Sequence, residues 1–200
     1  MLRVLVVLSL ALLCVAQPGP HPPRLSSEFT ATMTVNLTRR GPRGEESFTG
    51  KGSWAGDIEH QRELEMLTLE VRGGEEIYHV EFLQRVDEEH VYMIESNGTG
   101  EAHCRGEPAR GQLVSPWEFL DHNPHYERRT INGREFAVYA GADRRGHAQL
   151  LFEIVNDQMS DHPFAYAREE HLDHYDFVFE SFQEVTPPET IFAVPAECNQ

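Results

Sequence analysis

Phe29, Ala31, Met33, Val35 and Leu37 alternate with Thr30, Thr32, Thr34, Asn36 and Thr38, and no other feature restricts the fold so strongly. Successive side chains leave a pleated backbone on opposite sides, so this period of two predicts a strand with one buried and one wet face. The same rhythm recurs along the chain. Strands are predicted over 47–55 and 61–71, around Tyr78, Val80 and Phe82, and around Tyr92 and Ile94. Further strands follow over 136–140, 148–155, 163–168 and 173–182, with a terminal stretch at 191–194. Gly50 and Gly52 weaken or bend the second strand. In the third, the apolar phase slips between Met66 and Leu67, as a β-bulge would produce. Residues 39–44 (RRGPRG), Gly73-Gly74 and Asn97-Gly98 supply turns. One short helix is predicted at Ser115-Pro116-Trp117-Glu118, a capping box with proline at the first helical position, ending near Asn123-Pro124. The fold class is therefore all-β with one or two short helices. A single antiparallel sheet of about eight to ten strands must curl to bury one face, giving a barrel or half-barrel. With few helices to plug it, the concave face is a candidate apolar cavity.

The N-terminus indicates the compartment. Arg3 precedes an apolar run over 4–15 that ends at Ala16, which is the layout of a secretory signal peptide (residues 1–16) cleaved before Gln17. The run is shorter than the roughly 20 residues a membrane span needs, and Pro18, Pro20, Pro22 and Pro23 follow at once. Stable membrane insertion is therefore not expected. Residues 17–24 form a proline-rich lead-in, and 25–200 read as one β domain without internal repeats. The 40% hydrophobic content is enough for a real core. A formal net charge of −16 argues against nucleic acid and anionic membrane as partners, since both repel an acidic surface, and is compatible with a cation such as calcium.

Of three cysteines, Cys14 leaves with the signal peptide, and Cys104 and Cys198 remain as an even pair. In a secreted chain such a pair reads as a disulfide. Closing a loop of about 95 residues would remove roughly 4 to 5 kcal/mol of unfolded-chain entropy. Asn36-Leu37-Thr38 and Asn97-Gly98-Thr99 are N-glycosylation sequons, the first on the wet face of its strand and the second in a turn.

Catalytic patterns are lacking. No serine sits in a G-x-S-x-G elbow, and the glycines occupy turns rather than a phosphate-binding loop. The chain is not expected to be an enzyme or to carry a cofactor. His171, His174 and Asp176 could ligate a divalent metal, but on a strand His171 and His174 point to opposite faces, so no metal site is expected there. Arg39, Arg40 and Arg43 could contact an anionic head group; a solvated hairpin tip is the simpler reading. Dibasic pairs at Arg39-Arg40, Arg128-Arg129 and Arg144-Arg145 are common in folded domains that are never processed. The expected apolar ligand face comprises Phe29, Met33, Val35, Met66, Tyr78, Val80, Phe82, Tyr92, Leu150, Phe152, Phe177 and Phe179.

Gly52, Trp54 and Asp57, then Arg62, then an aromatic-rich strand pair and Cys104 resemble the ependymin-type secreted glycoproteins. The stretches 163–166, His174-Tyr175-Asp176-Phe177 and 188–192 before Cys198 are similar to the N-terminal module of certain secreted cathepsin-like cysteine proteases. Both groups share a curved-sheet fold resembling the lipoprotein carrier LolA. The resemblance spans most of residues 25–198 as spaced single residues. It implies a LolA-like half-barrel with a hydrophobic pocket, a stabilising disulfide, glycans and an extracellular address. Ependymins carry more cysteines, so a homodimer would lack their extra bridge; the proteases continue into a papain-like domain that this sequence does not include. The expected partner is a lipid or other hydrophobic small molecule. The alternatives are a calcium-dependent adhesion module or a free-standing module like a protease pro-segment.

Overall fold

The computed structural model describes residues 19–199 apart from 43, 73, 75, 99–101 and 143–145. The expected signal peptide over 1–16, Arg43, Gly73, Thr99 and Arg144-Arg145 therefore lie outside the described residues. Twelve strands follow in chain order: β1 Glu28–Gly41, β2 Gly44–Asp57, β3 Arg62–Val71, β4 Ile77–Arg85, β5 His90–Asn97 and β6 His103–Pro108. Then come β7 His125–Ile131, β8 Arg134–Ala142, β9 His147–Val155, β10 Gln158–Met159, β11 Ala165–Glu170 and β12 Asp173–Gln183. All pair antiparallel in one sheet of order β6-β5-β4-β3-β2-β1-β12-β11-β9-β8-β7, with β10 paired to β9. The sheet is curved and unclosed, the expected all-β half-barrel.

Why the sheet curls is legible at the long β1–β2 hairpin. Gly50 faces the interior, and a Cβ there would lie 1.9 Å from the carbonyl oxygen of Thr68 on β3. Only glycine lets β2 fold so closely over its neighbour. On the other side of β1, the register with β12 skips Glu180, where Thr32 faces Ser181 and Met33 faces Phe179. That irregularity adds twist at the centre of the sheet.

Side chains of β1 at Phe29, Ala31, Met33, Val35 and Leu37 are all buried, as the alternation predicts. Inward neighbours include Trp54, Leu67, Leu69, Tyr139, Leu150, Phe152, Tyr166 and Phe177, all in one core. The bulge expected at Met66-Leu67 is not formed: β2 and β3 stay in register from Asp57–Arg62 through Phe48–Val71. Instead β3 keeps its phase by turning Glu63 and Glu65 inward, at 2% and 4% exposure. Leu64 then faces outward with Leu83 and Tyr92, and Met66 is 40% exposed.

The outward apolar patch needs a cover, and the C-terminal tail supplies it. Phe192 is fully buried against Ala55, Leu64 and Leu83, with Tyr92, Ile191 and Val194 alongside. Residues 191–194, expected extended, begin in a 3₁₀ turn over Glu189–Phe192. The Arg85 guanidinium donates to the Phe192 carbonyl at 2.9 Å, and Arg62 meets Glu189 at 3.1 Å. Cys198 closes the tail onto edge strand β6 through its disulfide with Cys104, with Cα atoms 5.1 Å apart.

The predicted helix is likewise reduced to a 3₁₀ turn, Glu118–Asp121. Ser115 Oγ accepts the Trp117 amide at 3.2 Å, but Glu118 makes no capping box. Asn123 takes a left-handed φ of 53°, and Pro124 follows, leaving no room for a second turn.

Cys198→Ser paired with Cys104→Ser is expected to lower the unfolding free energy by about 2–5 kcal/mol. Urea denaturation without reductant measures it; an unchanged midpoint would mean the docked tail holds without the bond.

Candidate functional site

The interior of the half-barrel divides into two unlike halves. At one end, the loop after β6 folds into the curl. Gln61 clamps it, donating to the Leu113 carbonyl at 3.1 Å and accepting the Leu113 amide at 2.8 Å. Trp117 then packs its ring 5.3 Å from Phe29, 5.3 Å from Trp54 and 5.5 Å from Tyr166. Phe119 closes against Gly141, where a Cβ would come within 2.9 Å of its ring. This half is a solid aromatic core.

At the other end the curl stays open as a cavity of about 870 Å³. Its walls are Leu37 from β1, Phe48 from β2, Leu67 and Leu69 from β3, Tyr78, Val80 and Phe82 from β4, Met93 from β5 and Tyr175 from β12. Tyr78, Val80, Phe82 and Met93 are only half-buried among the described residues. Arg39, Asp173, Glu46 and Glu95 stand at the mouth, with His171 in the β11–β12 turn. Arg39 donates to both oxygens of Asp173, at 3.2 and 3.1 Å, and that hydrogen bond raises its pKa.

Between the halves lies a buried ion pair. Arg168 on β11 donates to both oxygens of Glu65 on β3, at 3.1 and 3.2 Å, with side chains 7% and 5% exposed. Its guanidinium sits 4.5 Å over the Tyr175 ring and 5.3 Å from that of Phe177. Burial acts to lower the Arg168 pKa, but Glu65, with Tyr166, Glu170 and Tyr175, outweighs it and the net shift is upward. Burial pushes the Tyr175 hydroxyl up to about 12. Glu63, beside Glu65, accepts from Trp54 Nε1 at 2.8 Å and Gln84 Nε2 at 2.7 Å. Glu63, Glu65 and Arg168 thus form a buried polar cluster beside the aromatic core.

The twelve residues expected on the ligand face are distributed accordingly. Tyr78, Val80 and Phe82 line the open cavity. Phe29, Met33, Val35, Leu150, Phe152 and Phe177 are 0–1% exposed within the packed core, and Phe179 lies partly buried against it. Met66 and Tyr92 belong to the opposite face. On β5, Val91, Tyr92, Met93 and Ile94 are all apolar, so period two cannot choose a phase; register with β4 sets Met93 opposite inward Phe82 and Tyr92 opposite outward Leu83. Leu67 and Leu69 were concealed by the supposed bulge, and Arg168 and Glu65 by their charge.

Asn36 is exposed on the outer face of β1, and Asn97 is exposed at the end of β5, on the rim of the cavity. His174 Nε2 lies 3.2 Å from Asp176 on the outer face, while His171, in a left-handed turn at φ 54°, borders the cavity instead. Among the described residues a different trio brings ligand atoms within 4.8 Å of one another: Glu28, Asp57 and His60. Asp57 is 4% exposed and bonds His60 Nδ1 at 2.8 Å, while Thr186 donates to Glu28. The Asp57 hydrogen bond raises the His60 pKa above its ordinary 6.5.

No family model and no curated protein matches the chain. Among solved structures it is similar to PNGF-II in a C2 crystal form, at 8% identity and a TM-score of 0.29 over 82% of this chain. The chain spans 29% of that protein's length. None of the described helices is long and apolar enough to cross a membrane.

Arg168→Met is expected to cost about 3–5 kcal/mol of stability, because it removes the guanidinium that meets the buried Glu65 carboxylate; adding Glu65→Leu should recover most of that loss. A double variant as unstable in urea as the single one would contradict this. For His60, a raised folded pKa means that its contribution is fully present below the unfolded value of 6.5 and is lost as pH rises through the folded value. The gap in urea midpoint between wild type and His60→Ala should therefore be wider at about pH 5.5 than at about pH 8.5, and equal gaps would oppose it.

Proposed function

We propose that this is a secreted carrier or sensor that holds a lipid or other apolar molecule in the open half of the curved sheet. The supporting observation is the contrast between the two halves: one is filled by Trp117 and Phe119, and the other leaves Tyr78, Val80, Phe82 and Met93 half-buried around about 870 Å³. Uncovered apolar walls of this extent are costly in water, at roughly 25 cal/mol per Å². A cavity of this size falls within the range of small-molecule sites, about 300–1,000 Å³. The acidic surface is compatible with a soluble carrier. The resemblance to LolA-like and ependymin-type proteins points the same way.

Native mass spectrometry of the secreted, deglycosylated protein, followed by solvent extraction, is the direct test. A reproducible adduct released as a defined lipid supports the carrier. A bare polypeptide mass, together with no uptake of the neutral dye Nile red, removes it and leaves the extracellular interaction module. Val80→Trp, which fills the open half, is expected to weaken Nile red binding about tenfold or more with little change in urea midpoint. Undiminished binding would place the dye elsewhere.

A further inference from the structure

The mouth of the cavity bears charges whose pairing distinguishes one amphiphile from another. Among the described residues, Arg39 faces inward at the rim, and both oxygens of Asp173 already hold it. Arg40 lies 3.5 Å from Glu45, and Glu170 lies 3.7 Å from buried Arg168. Glu46 on β2 and Glu95 on β5 are left, each exposed and with no side-chain hydrogen bond or ion pair among the described residues. Register places Glu46 opposite Arg39, and Glu95 opposite Val80 on one side and His103 on the other. Glu95 also acts electrostatically on Arg39 across the opening. Just below the rim, Phe48 and Tyr78 meet edge to face with centroids 6.1 Å apart, presenting aromatic surface of the kind that attracts a cation.

An anionic head group entering here would have to break the Arg39–Asp173 fork and sit near two carboxylates that hold no side-chain ion pair among the described residues. A cationic one would meet both carboxylates and the aromatic rings without breaking anything. We propose that the cavity selects amphiphiles with a cationic head group, an alkylamine or quaternary ammonium on a single apolar chain, over the corresponding fatty acids. This rests on the carrier reading of the same cavity.

The test uses the full secreted protein loaded with Nile red, titrated with decylamine, decanol and decanoate, which share one chain and differ in head-group charge. At about pH 7.5 and low salt, decylamine should displace the dye at a concentration about tenfold below decanoate, with decanol between them. The gap should shrink at about 0.5 M salt, where exposed charges are screened. It should also close in Glu46→Gln/Glu95→Gln, read as the ratio of decanoate to decylamine needed to displace the dye from that same variant. Decanoate displacing as well as decylamine, or a preference untouched by the double variant, overturns the head-group inference while the carrier reading stands. Failure of Nile red to bind at all overturns the carrier reading and this inference with it.

Discussion

Arg168 and Glu65 are 103 residues apart in sequence and meet inside the curl of the sheet, on strands separated by β2, β1 and β12. A flat sheet could not bring them together. Burying two charges is expensive, and the cost is offset only because the guanidinium fork meets both carboxylate oxygens and lies on the rings of Tyr175 and Phe177. That geometry demands a particular radius of curvature. Stability alone could be supplied by apolar side chains of similar volume; a two-point link across the interior also specifies how tightly the sheet closes. The same guanidinium lies on the ring of Tyr175, which lines the open cavity.

The rest of the chain accommodates this curvature. Gly50 gives β2 the close approach to Thr68 that a Cβ would prevent. Curling exposes an apolar patch on the outer face at Leu64, Leu83 and Tyr92, and Phe192 fills it. The disulfide fixes that tail to β6, an edge strand otherwise held by a single neighbour. On the inner side, the Trp117–Phe119 loop occupies one end and stops. The cavity is what remains when a plug too short to fill the curl has been packed.

Period-two alternation read the strands well wherever one face is dry and the other wet, as on β1 and β12. It failed where both faces are buried or both are wet. On β5, four consecutive apolar residues hide the phase, so the sequence points Tyr92 inward where the register turns Met93 inward. On β3, a carboxylate at Glu65 argued against the correct phase, because its partner lies far along the chain. Edge strands β6 and β7 were missed for the opposite reason: mostly exposed, they carry no alternation.

The all-β class and the central strands are legible along the chain because they depend on side-chain periodicity within a few residues, and the Cys104–Cys198 bond because only two cysteines follow residue 16. Which part of the concave face is core and which is cavity depends on contacts between strands far apart in the chain. Phe177 and Tyr78 look alike in sequence, one apolar position in an alternating strand. One meets Trp54, and Arg168 from the neighbouring strand, and is sealed, and the other faces open space, because the covering loop reaches only one end of the sheet.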